Sequence, residues 1–434
     1  MKRINRRAAA VLIPALLIAL GMGVFLARLA LRGGDWAAYT ANSHVYRWAE
    51  LQCGRVTDRN GELLLRIRDG EYTYAEDPAV RLASLHAVGD EEGYIGGTAL
   101  SLFDRDLVGW NLWEGTDGSG GTVALSLDSR LQSTAWKALN GRSGAVVVLN
   151  YETGEILCMV SSPSYDPVSG PEPGQDTVFL NRCIDTTFVP GSVFKLVTLI
   201  AAREHIPDLE DRRFVCRGEL DLGGDTLVCT GSHGSQTIET ALTNSCNVAF
   251  GELAMELGGE VLRDTAQRLG LLDGLTLDGY ATAAGEYDVP PAGTILEAWS
   301  GIGQYNDLAT PYAFARLCAG IANGGAVREP TLRLRGKTGT TAIMAPEVAA
   351  YVDEVMNYTA YYGYRAFFPD LDLCAKTGTA EVGDGTDHAW IVGYLRSGAP
   401  LAFAVMLEHG GWGLYEAGPV ANTVLQKALE LSQS

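Results

Sequence analysis

The segment VPGSVFKLVTLIAA (189–202) contains a serine and a lysine whose spacing could create a nucleophile and its base. Ser192 starts an apolar, helix-forming run, and Lys195 follows three residues later, which would place both side chains on one face of a helix. A serine hydroxyl is a weak nucleophile until a base accepts its proton. Lysine can be that base when apolar neighbours desolvate the amine and lower its pKa. Alone the pattern is weak evidence, because most such matches are a surface serine and an exposed lysine.

Two further motifs could act beside this serine. In TNSCNVAF (243–250), Ser245 and Asn247 are two residues apart, so in an extended or turning segment both side chains point the same way. This pair offers a hydroxyl to relay a proton and an amide to hold a peptide carbonyl. The motif Lys-Thr-Gly-Thr occurs at 337–340 and again at 376–379. On a strand, its lysine would attract a carboxylate, its hydroxyls would hydrogen-bond to it, and its glycine would let a substrate approach the backbone.

The flanking residues indicate which copy of Lys-Thr-Gly-Thr is functional. Lys376 follows the apolar run LDLCA and precedes a turn and the strand-like HAWIVGYL, so we expect it on a sheet strand with a partner strand. Lys337 follows the more polar TLRLRG and precedes a helical pattern, which is typical of a loop lysine. The predicted substrate-binding residues are therefore Lys376, Thr377, Gly378 and Thr379.

The three motifs in this order are the set used by class A β-lactamases and penicillin-binding proteins. The chain resembles a class B penicillin-binding protein, a membrane-anchored D,D-transpeptidase of peptidoglycan synthesis. The likeness covers nearly the whole chain, through GRVTDRNGELL (54–64), GAVVVLNYETGEILCMVSSPSYDP (144–167) and GQYNDLATPYAFARLCAGIANGG (303–325). The last segment carries Tyr305 where the family usually has the second glycine of Gly-Gln-Gly, a departure that concerns loop geometry and no catalytic group.

The resemblance implies a catalytic role for four residues and an oxyanion hole. Ser192 would be the acyl-enzyme nucleophile and Lys195 its base. Ser245 and Asn247 would be the proton relay and the substrate clamp. The oxyanion hole would use the backbone N–H groups of Ser192 and Thr379.

By the same resemblance, Lys376, Thr377 and Thr379 would bind the terminal carboxylate of a peptidoglycan stem peptide ending in D-Ala-D-Ala. Ser192 would displace the last D-alanine, and an amine of a neighbouring stem would then take the acyl group to form a cross-link. Water in place of the amine would make the enzyme a D,D-carboxypeptidase. β-Lactams would trap Ser192 covalently, and no cofactor is implied.

Composition and hydrophobic patterns predict three regions. We expect residues 1–32 to form a cytoplasmic tail and transmembrane anchor, 33–121 a small β-rich pedestal or dimerisation-like domain, and 122–434 the penicillin-binding transpeptidase domain. In the last region, strand patterns lie at both ends and helical patterns lie between them, from about 192 to 325. This order predicts an α+β fold, an antiparallel sheet flanked by helices.

The N-terminal residues predict the cellular location of the protein. Four basic residues precede the uncharged run 8–27, which is long enough to span a bilayer as a single helix. The positive flank places the N-terminus in the cytoplasm and the catalytic domain on the extracellular face. A cleavable signal peptide would look similar, but LARLALRGG lacks a good small-residue cleavage site. The formal net charge of -19 argues against a nucleic-acid partner.

Other protein classes share parts of this pattern. A β-lactamase-like hydrolase needs no long preceding domain and usually no anchor, and a β-lactam sensor would follow several membrane spans. A non-catalytic scaffold of the wall-synthesis complex would be expected to lack a motif. Residues 34–121 are too few for a glycan-polymerising domain, so the resemblance suggests a membrane-embedded glycosyltransferase partner. Roles in elongation, division and sporulation stay open.

Three of the eight cysteines and one histidine have the spacing C-x12-C-x3-H-x12-C, formed by Cys216, Cys229, His233 and Cys246. A hairpin that turns at Gly223-Gly224 would bring the first two cysteines together, with the histidine just beyond. Cys246 would point away from the cleft if Ser245 and Asn247 point into it. Three thiolates and an imidazole suit a structural zinc ion. Outside the membrane, however, a Cys216–Cys229 disulfide or separate thiols is the preferred expectation, and no metal is assigned.

Overall fold

The computed structural model describes residues 2–38, 53–108, 113, 120–383 and 385–433 of the chain. Single 3-10 or π turns lie at Asp176–Phe179, Gly191–Phe194, Leu209–Asp211 and Ala360–Tyr364. The α-helices, in chain order, are α1 Lys2–Ala38, α2 Pro78–Val88, α3 Ala99–Leu102, α4 Asp104–Val108, α5 Ser129–Leu139, α6 Lys195–His205, α7 Ile238–Thr243, α8 Asn247–Leu257, α9 Gly259–Arg268, α10 Ile295–Ser300, α11 Pro311–Ala322, α12 Pro346–Thr359 and α13 Gly413–Ser432.

The strands form one large sheet and several small ones. In chain order they are β1 Gly54–Thr57, β2 Leu63–Arg68, β3 Glu71–Tyr74, β4 Thr122–Ala124, β5 Gly144–Asn150, β6 Ile156–Ser162, β7 Phe214–Cys216, β8 Glu219–Asp221, β9 Thr226–Val228, β10 Gly234–Gln236, β11 Thr276–Leu277, β12 Tyr280–Ala281, β13 Ala326–Arg328, β14 Thr340–Ala342, β15 Leu373–Ala380, β16 His388–Leu395 and β17 Leu401–Leu407.

The central sheet has the order β15-β16-β17-β5-β6, and every neighbouring pair is antiparallel. Strands β16 and β17 are buried at every position, because helices cover both faces of the sheet. Alternate residues enter two cores: Val147 packs in the cluster that contains α11, and Val146 packs in the cluster that contains α5 and α13. The predicted α+β fold with an antiparallel sheet flanked by helices is confirmed, including the meander order of the last three strands.

The N-terminal part is mixed in structure. Its sheet has the order β3-β2-β1-β4. Helix α2, which is capped by the Asp77 side chain, follows β3 along the chain. Strand β4 pairs in parallel with β1, so the first strand after the expected boundary at residue 121 completes the N-terminal sheet. The side chains of Val56 and Leu65 share one core cluster with the central sheet. The two parts are therefore packed together without an intervening gap.

Helix α1 runs from Lys2 to Ala38 and contains the apolar stretch predicted as an anchor. Within the part of the chain that the structure describes, this helix alone has the length and apolar composition needed to cross a bilayer, over Ala10–Gly33.

Asp58 connects the N-terminal hairpin to helix α5. Its fully buried carboxylate accepts hydrogen bonds from the backbone N–H groups of Asn60 (2.8 Å) and Glu62 (2.9 Å), which shape the β1–β2 turn. The other carboxylate oxygen accepts from the Ser129 N–H (3.1 Å) and hydroxyl (2.9 Å) at the start of α5. One side chain thus satisfies donors of both parts of the molecule.

We expect Asp58→Ala to lower the free energy of unfolding by about 2–4 kcal/mol, because it leaves several buried donors without an acceptor. Denaturant unfolding of the full-length chain in detergent measures the change. Glu91→Ala, which removes an exposed carboxylate, is the matched control and should be neutral. Equal stabilities of the two variants would contradict the connecting role of Asp58.

Candidate active site

Ser192 lies in the 3-10 turn Gly191–Phe194, which leads directly into α6. Gly191 adopts φ +56, in the left-handed region where a side chain is strained. A Cβ on Gly191 would also lie 2.6 Å from the carbonyl oxygen of Thr379. The turn therefore rests directly against strand β15, and the Ser192 side chain stays half-buried beside that strand.

The amine of Lys195, the first residue of α6, lies at the centre of the site. Its Nζ is 3.0 Å from Ser192 Oγ and 3.1 Å from Ser245 Oγ. It is also 2.6 Å from the Ser245 carbonyl oxygen and 2.8 Å from Asn247 Oδ1. The four residues predicted to be catalytic are thus brought together around one nitrogen atom.

The contacts of Lys195 are compatible with its neutral form. A neutral amine has two hydrogens and one lone pair, whereas an ammonium has three hydrogens and no lone pair. The Ser245 carbonyl and Asn247 Oδ1 can only accept, so they use the two hydrogens and leave the lone pair for the Ser192 hydroxyl. Burial lowers the pKa of Lys195 from 10.5 to about 7, while nearby Cys229 and Cys246 oppose that shift. This is the arrangement of a base ready to accept the serine proton.

Ser245 and Asn247 lie at the junction of α7 and α8. Ser245 adopts φ +50, an uncommon conformation for a residue with a side chain. Asn247 is the first residue of α8, and its Nδ2 donates to the carbonyl oxygen of Val228 at 2.9 Å. That bond orients the amide so that Oδ1 faces Lys195. Cys246, between them, points into the core with no exposed surface, as the alternation in sequence predicts.

Lys376 lies on β15, the edge strand of the central sheet, as predicted. Its fully buried Nζ donates to Ser245 Oγ at 3.0 Å and to the carbonyl oxygen of Thr377 at 2.7 Å. Burial, together with the charge of Lys195, lowers the pKa of Lys376 well below 10.5. The Ser245 hydroxyl therefore lies between two lysine amines and can pass a proton from one to the other.

The open edge of β15 faces the turn Gly191–Phe194, hereafter the nucleophile turn. The N–H of Thr377 donates to Tyr364 Oη at 3.3 Å, outside the ladder with β16. Because N–H groups along a strand alternate in direction, the N–H of Thr379 points to the same open edge. The Thr377 and Thr379 side chains are half-buried there. These positions suit the predicted oxyanion donor and carboxylate-binding hydroxyls.

Gly378 has a different close neighbour from the one the sequence suggested. A Cβ at this position would lie 2.8 Å from the carbonyl oxygen of Pro190 and 3.1 Å from Val193 Cγ1. The glycine therefore allows β15 to pack on the nucleophile turn, and the expected close approach of a substrate stays a prediction.

Sequence reasoning missed Tyr364. This residue closes the π turn Ala360–Tyr364, and its buried hydroxyl lies 3.1 Å from Thr377 Oγ1. It thereby fixes the side chain and the N–H of the same threonine. A lone tyrosine distant in sequence from any motif carries no signal of this contact.

Tyr305, which stands where the family pattern has a glycine, adopts φ +71, in the left-handed region that favours glycine. The first glycine of that loop, Gly303, accepts a hydrogen bond from the Gly191 N–H at 2.9 Å through its carbonyl oxygen. A Cβ on Gly303 would lie 2.1 Å from the Gly191 carbonyl oxygen. The loop therefore still supports the nucleophile turn despite the substitution.

Lys337, in the first copy of the motif, is an exposed loop residue, as predicted. The three-residue strand β14 separates it from helix α12. No hydrogen bond or ion pair of Lys337 occurs among the contacts of the described residues, in contrast to the two bonds of Lys376.

A second polar cluster lies beside the Ser-x-Asn loop. The side chains of Cys216, Cys229, His233 and Cys246 place their potential ligand atoms within 4.8 Å of one another. The expected hairpin is present, with β8 and β9 flanking Gly223 and Gly224. The Cys216–Cys229 disulfide is absent, since both residues are separate thiols.

The family of the chain follows from comparison with known proteins. Residues 144–430 match the family described as the penicillin binding protein transpeptidase domain. The chain is 30% identical over 391 residues to the peptidoglycan D,D-transpeptidase PbpA of Mycobacterium tuberculosis, covering 78% of each chain. It is 26% identical over 323 residues to the peptidoglycan D,D-transpeptidase FtsI of Escherichia coli, covering 70% of this chain and 54% of the relative.

Solved structures agree with this likeness. The ceftriaxone acyl-enzyme complex of penicillin-binding protein A from M. tuberculosis superposes with a TM-score of 0.77 at 26% identity, covering 88% of this chain and 99% of that one. The D,D-transpeptidase domain of a peptidoglycan glycosyltransferase from Eggerthella lenta gives a TM-score of 0.72 at 25% identity, with the same coverage of 88% and 99%. The chain belongs to the penicillin-binding transpeptidase family, as a class B penicillin-binding protein. The predicted resemblance is confirmed.

We expect the rate of acylation by a penicillin to follow the neutral fraction of Lys195. Since its pKa is lowered to about 7, the reactive form is present above that pH and is lost as the pH falls. The rate should drop about tenfold per pH unit below the pKa and level off above it. Stopped-flow acylation from pH 5 to 10 measures this profile. A midpoint near 10 would contradict a desolvated lysine base.

We expect Lys376→Ala to slow acylation about 10- to 100-fold, because it removes a buried donor to Ser245 and a cation beside the carboxylate site. Lys337→Ala should stay within about twofold, as expected of an exposed loop charge. Thermal unfolding of both variants checks that they are folded. Equal losses from the two substitutions would show that the functional copy of Lys-Thr-Gly-Thr is wrongly assigned.

Proposed function

We propose that this chain is a membrane-anchored peptidoglycan D,D-transpeptidase that uses Ser192 as its acyl-enzyme nucleophile. The observation that carries the assignment is the 3.0 Å contact between Ser192 Oγ and the fully buried amine of Lys195. The relatives named D,D-transpeptidases and the solved acyl-enzyme complexes of penicillin-binding protein A support the same chemistry.

In the first step, Ser192 Oγ attacks the carbonyl carbon between the last two D-alanines while its proton passes to Lys195 Nζ. The N–H groups of Ser192 and Thr379 stabilise the negative charge on the carbonyl oxygen. Collapse of the tetrahedral intermediate breaks the C–N bond. The leaving amine of D-alanine takes a proton through Ser245, which both lysines contact. The product is an ester of Ser192.

In the second step, an amine of a neighbouring stem peptide attacks the ester, loses a proton to the same relay, and releases Ser192 with a new amide bond. The side chain of Asn247 holds the peptide backbone of the donor stem. Water in place of the amine gives the D,D-carboxypeptidase side reaction. Lys195 serves as base in both steps, since it returns to its neutral form when the leaving group is protonated.

Lys376, Thr377, Gly378 and Thr379 form the subsite for the terminal carboxylate. Lys376 is fully buried, and burial lowers its pKa, which disfavours the charged ammonium. A carboxylate at the two threonine hydroxyls would favour the charged ammonium. The charged ammonium would then attract the substrate carboxylate, while the proton for the leaving amine comes from Ser192 through Lys195 and Ser245.

The placement of the domains and the partner is also proposed. Residues 1–32 would be the cytoplasmic tail and anchor, 33–121 the pedestal and 122–434 the extracellular transpeptidase domain, with Thr122–Ala124 completing the pedestal sheet. The basic residues before Ala8 support a cytoplasmic N-terminus. A separate membrane-embedded glycosyltransferase would supply the glycan strands, since the pedestal is too small to polymerise them.

We expect the full-length chain in detergent to be labelled by a fluorescent penicillin, with an intact mass increased by one molecule of the drug. Ser192→Ala should abolish both signals, because no ester can form. The control Ser397→Ala removes the hydroxyl of an exposed turn serine and should label like the wild type. A folded wild-type protein that stays unlabelled at high penicillin concentration would favour a non-catalytic scaffold.

A further inference from the structure

We propose that Cys216, Cys229, His233 and Cys246 bind a structural zinc ion that braces the Ser-x-Asn loop. Their ligand atoms, three sulfurs and one ring nitrogen, all lie within 4.8 Å of one another. The four residues come from three places in the chain: strand β7, the loop after β9 and the N-terminus of α8. Convergence of this donor set from separate elements is what a closed tetrahedral site requires.

The separations match those of a zinc site. Two sulfurs at about 2.3 Å from a tetrahedral zinc lie about 3.8 Å apart, and a sulfur and an imidazole nitrogen lie about 3.6 Å apart. In the structure, Cys229 Sγ is 3.9 Å from Cys246 Sγ and 3.6 Å from His233 Nδ1. A disulfide would require about 2.05 Å between two sulfurs and would leave a third thiol and the imidazole beside it.

The surroundings suit thiolate ligands. The three cysteines are buried and His233 is half-buried, so the cluster has little access to water. Backbone N–H groups point at two of the sulfurs: Asn247 N is 3.2 Å from Cys229 Sγ, and Ala249 N is 3.5 Å from Cys246 Sγ. Such donors stabilise the negative charge that a metal-bound thiolate keeps. The contact of Cys216 Sγ with the Gly231 carbonyl oxygen, at 3.4 Å, is the one that metal binding would replace.

The position of the site gives it a consequence for catalysis, and this part of the inference rests on the proposed function. Cys246 lies between Ser245 and Asn247, and Cys229 accepts the backbone N–H of Asn247. A metal bound to both cysteines would fix the loop that places Ser245 Oγ and Asn247 Oδ1 on Lys195. No disulfide links these elements within the described residues, so a bound metal would add a cross-link between them.

The test begins with the full-length chain purified in detergent without a histidine tag. Elemental analysis should find about one zinc per chain. Cobalt(II) in place of zinc should give the intense visible and near-ultraviolet bands of a tetrahedral thiolate site. Removal of zinc by a chelator should lower the unfolding temperature, and zinc, but not magnesium, should restore it. None of these measurements depends on acylation.

Two matched cysteine variants separate ligation from packing. Cys216→Ser removes the ligand farthest in sequence from the catalytic residues and should leave less than about 0.3 zinc per chain. Cys318→Ser alters a fully buried cysteine of α11 outside the cluster and should keep about one zinc, even if it is destabilised. In the chelated wild type, penicillin acylation should slow at least about tenfold, because small displacements of catalytic groups are costly.

Clear outcomes would overturn the proposal. Wild-type protein with no zinc as purified and no thermal shift on adding zinc would exclude the site. So would peptide mapping under non-reducing conditions that finds a disulfide between two of the three cysteines of the cluster. One zinc per chain as purified, together with unchanged acylation once a chelator has removed it, would support the metal site and contradict its catalytic consequence. Ser192→Ala should keep its zinc, so failure of the proposed function is distinguishable from failure of the site.

Discussion

The structure depends on one constraint: the amine of Lys195 must be shielded from water and still contact the hydroxyl of Ser192. Burial lowers the pKa of Lys195, but a buried amine without partners would cost several kcal/mol. The structure meets both demands by offering only uncharged oxygen partners, from Ser192, Ser245 and Asn247. A carboxylate at the same place would raise the pKa and remove the base. The turn Gly191–Phe194 and the junction of α7 and α8 together bring these oxygens to one nitrogen.

The contact between strand β15 and the nucleophile turn is made by backbone on both sides. Gly191 and Gly378 stand where a Cβ would lie 2.6 Å and 2.8 Å from an opposing carbonyl oxygen. Such proximity is what the proposed oxyanion hole, formed by the N–H groups of Ser192 and Thr379, would require. The proposed substrate-binding role of Lys376, Thr377, Gly378 and Thr379 also requires that they lie at the edge of a sheet. An interior strand would have its N–H groups occupied by both neighbours, whereas the edge strand has one side open.

The sequence predicted the parts of the site that lie within short motifs, together with the central sheet. Ser192 and Lys195 are three residues apart, and the apolar run LDLCA with the strand that follows the second motif predicted that Lys376 lies on a sheet strand, as the structure shows. Contacts made across the fold left no such signal. Tyr364 reaches Thr377 from a π turn, and the support of Gly191 by Gly303 depends on tertiary approach. The cysteine cluster is the clearest example of what sequence cannot predict. The spacing of its residues is visible in the sequence, but whether two thiols form a disulfide depends on the distance between their sulfur atoms, which spacing does not give.

The Ser-x-Asn loop is held in a conformation that its own residues do not favour. Ser245 has φ +50, which costs a residue with a side chain about 1–2 kcal/mol, and no glycine is present to relieve it. The surrounding contacts must therefore supply the stabilisation. Cys246 caps α8 by accepting the Ala249 N–H, and Asn247 is tied to Val228 and Cys229 on the other side. Because Cys229 and Cys246 meet at the cluster, one bound metal ion would stabilise both supports at once. The proposed zinc site would therefore stabilise the strained Ser-x-Asn loop that lies beside it.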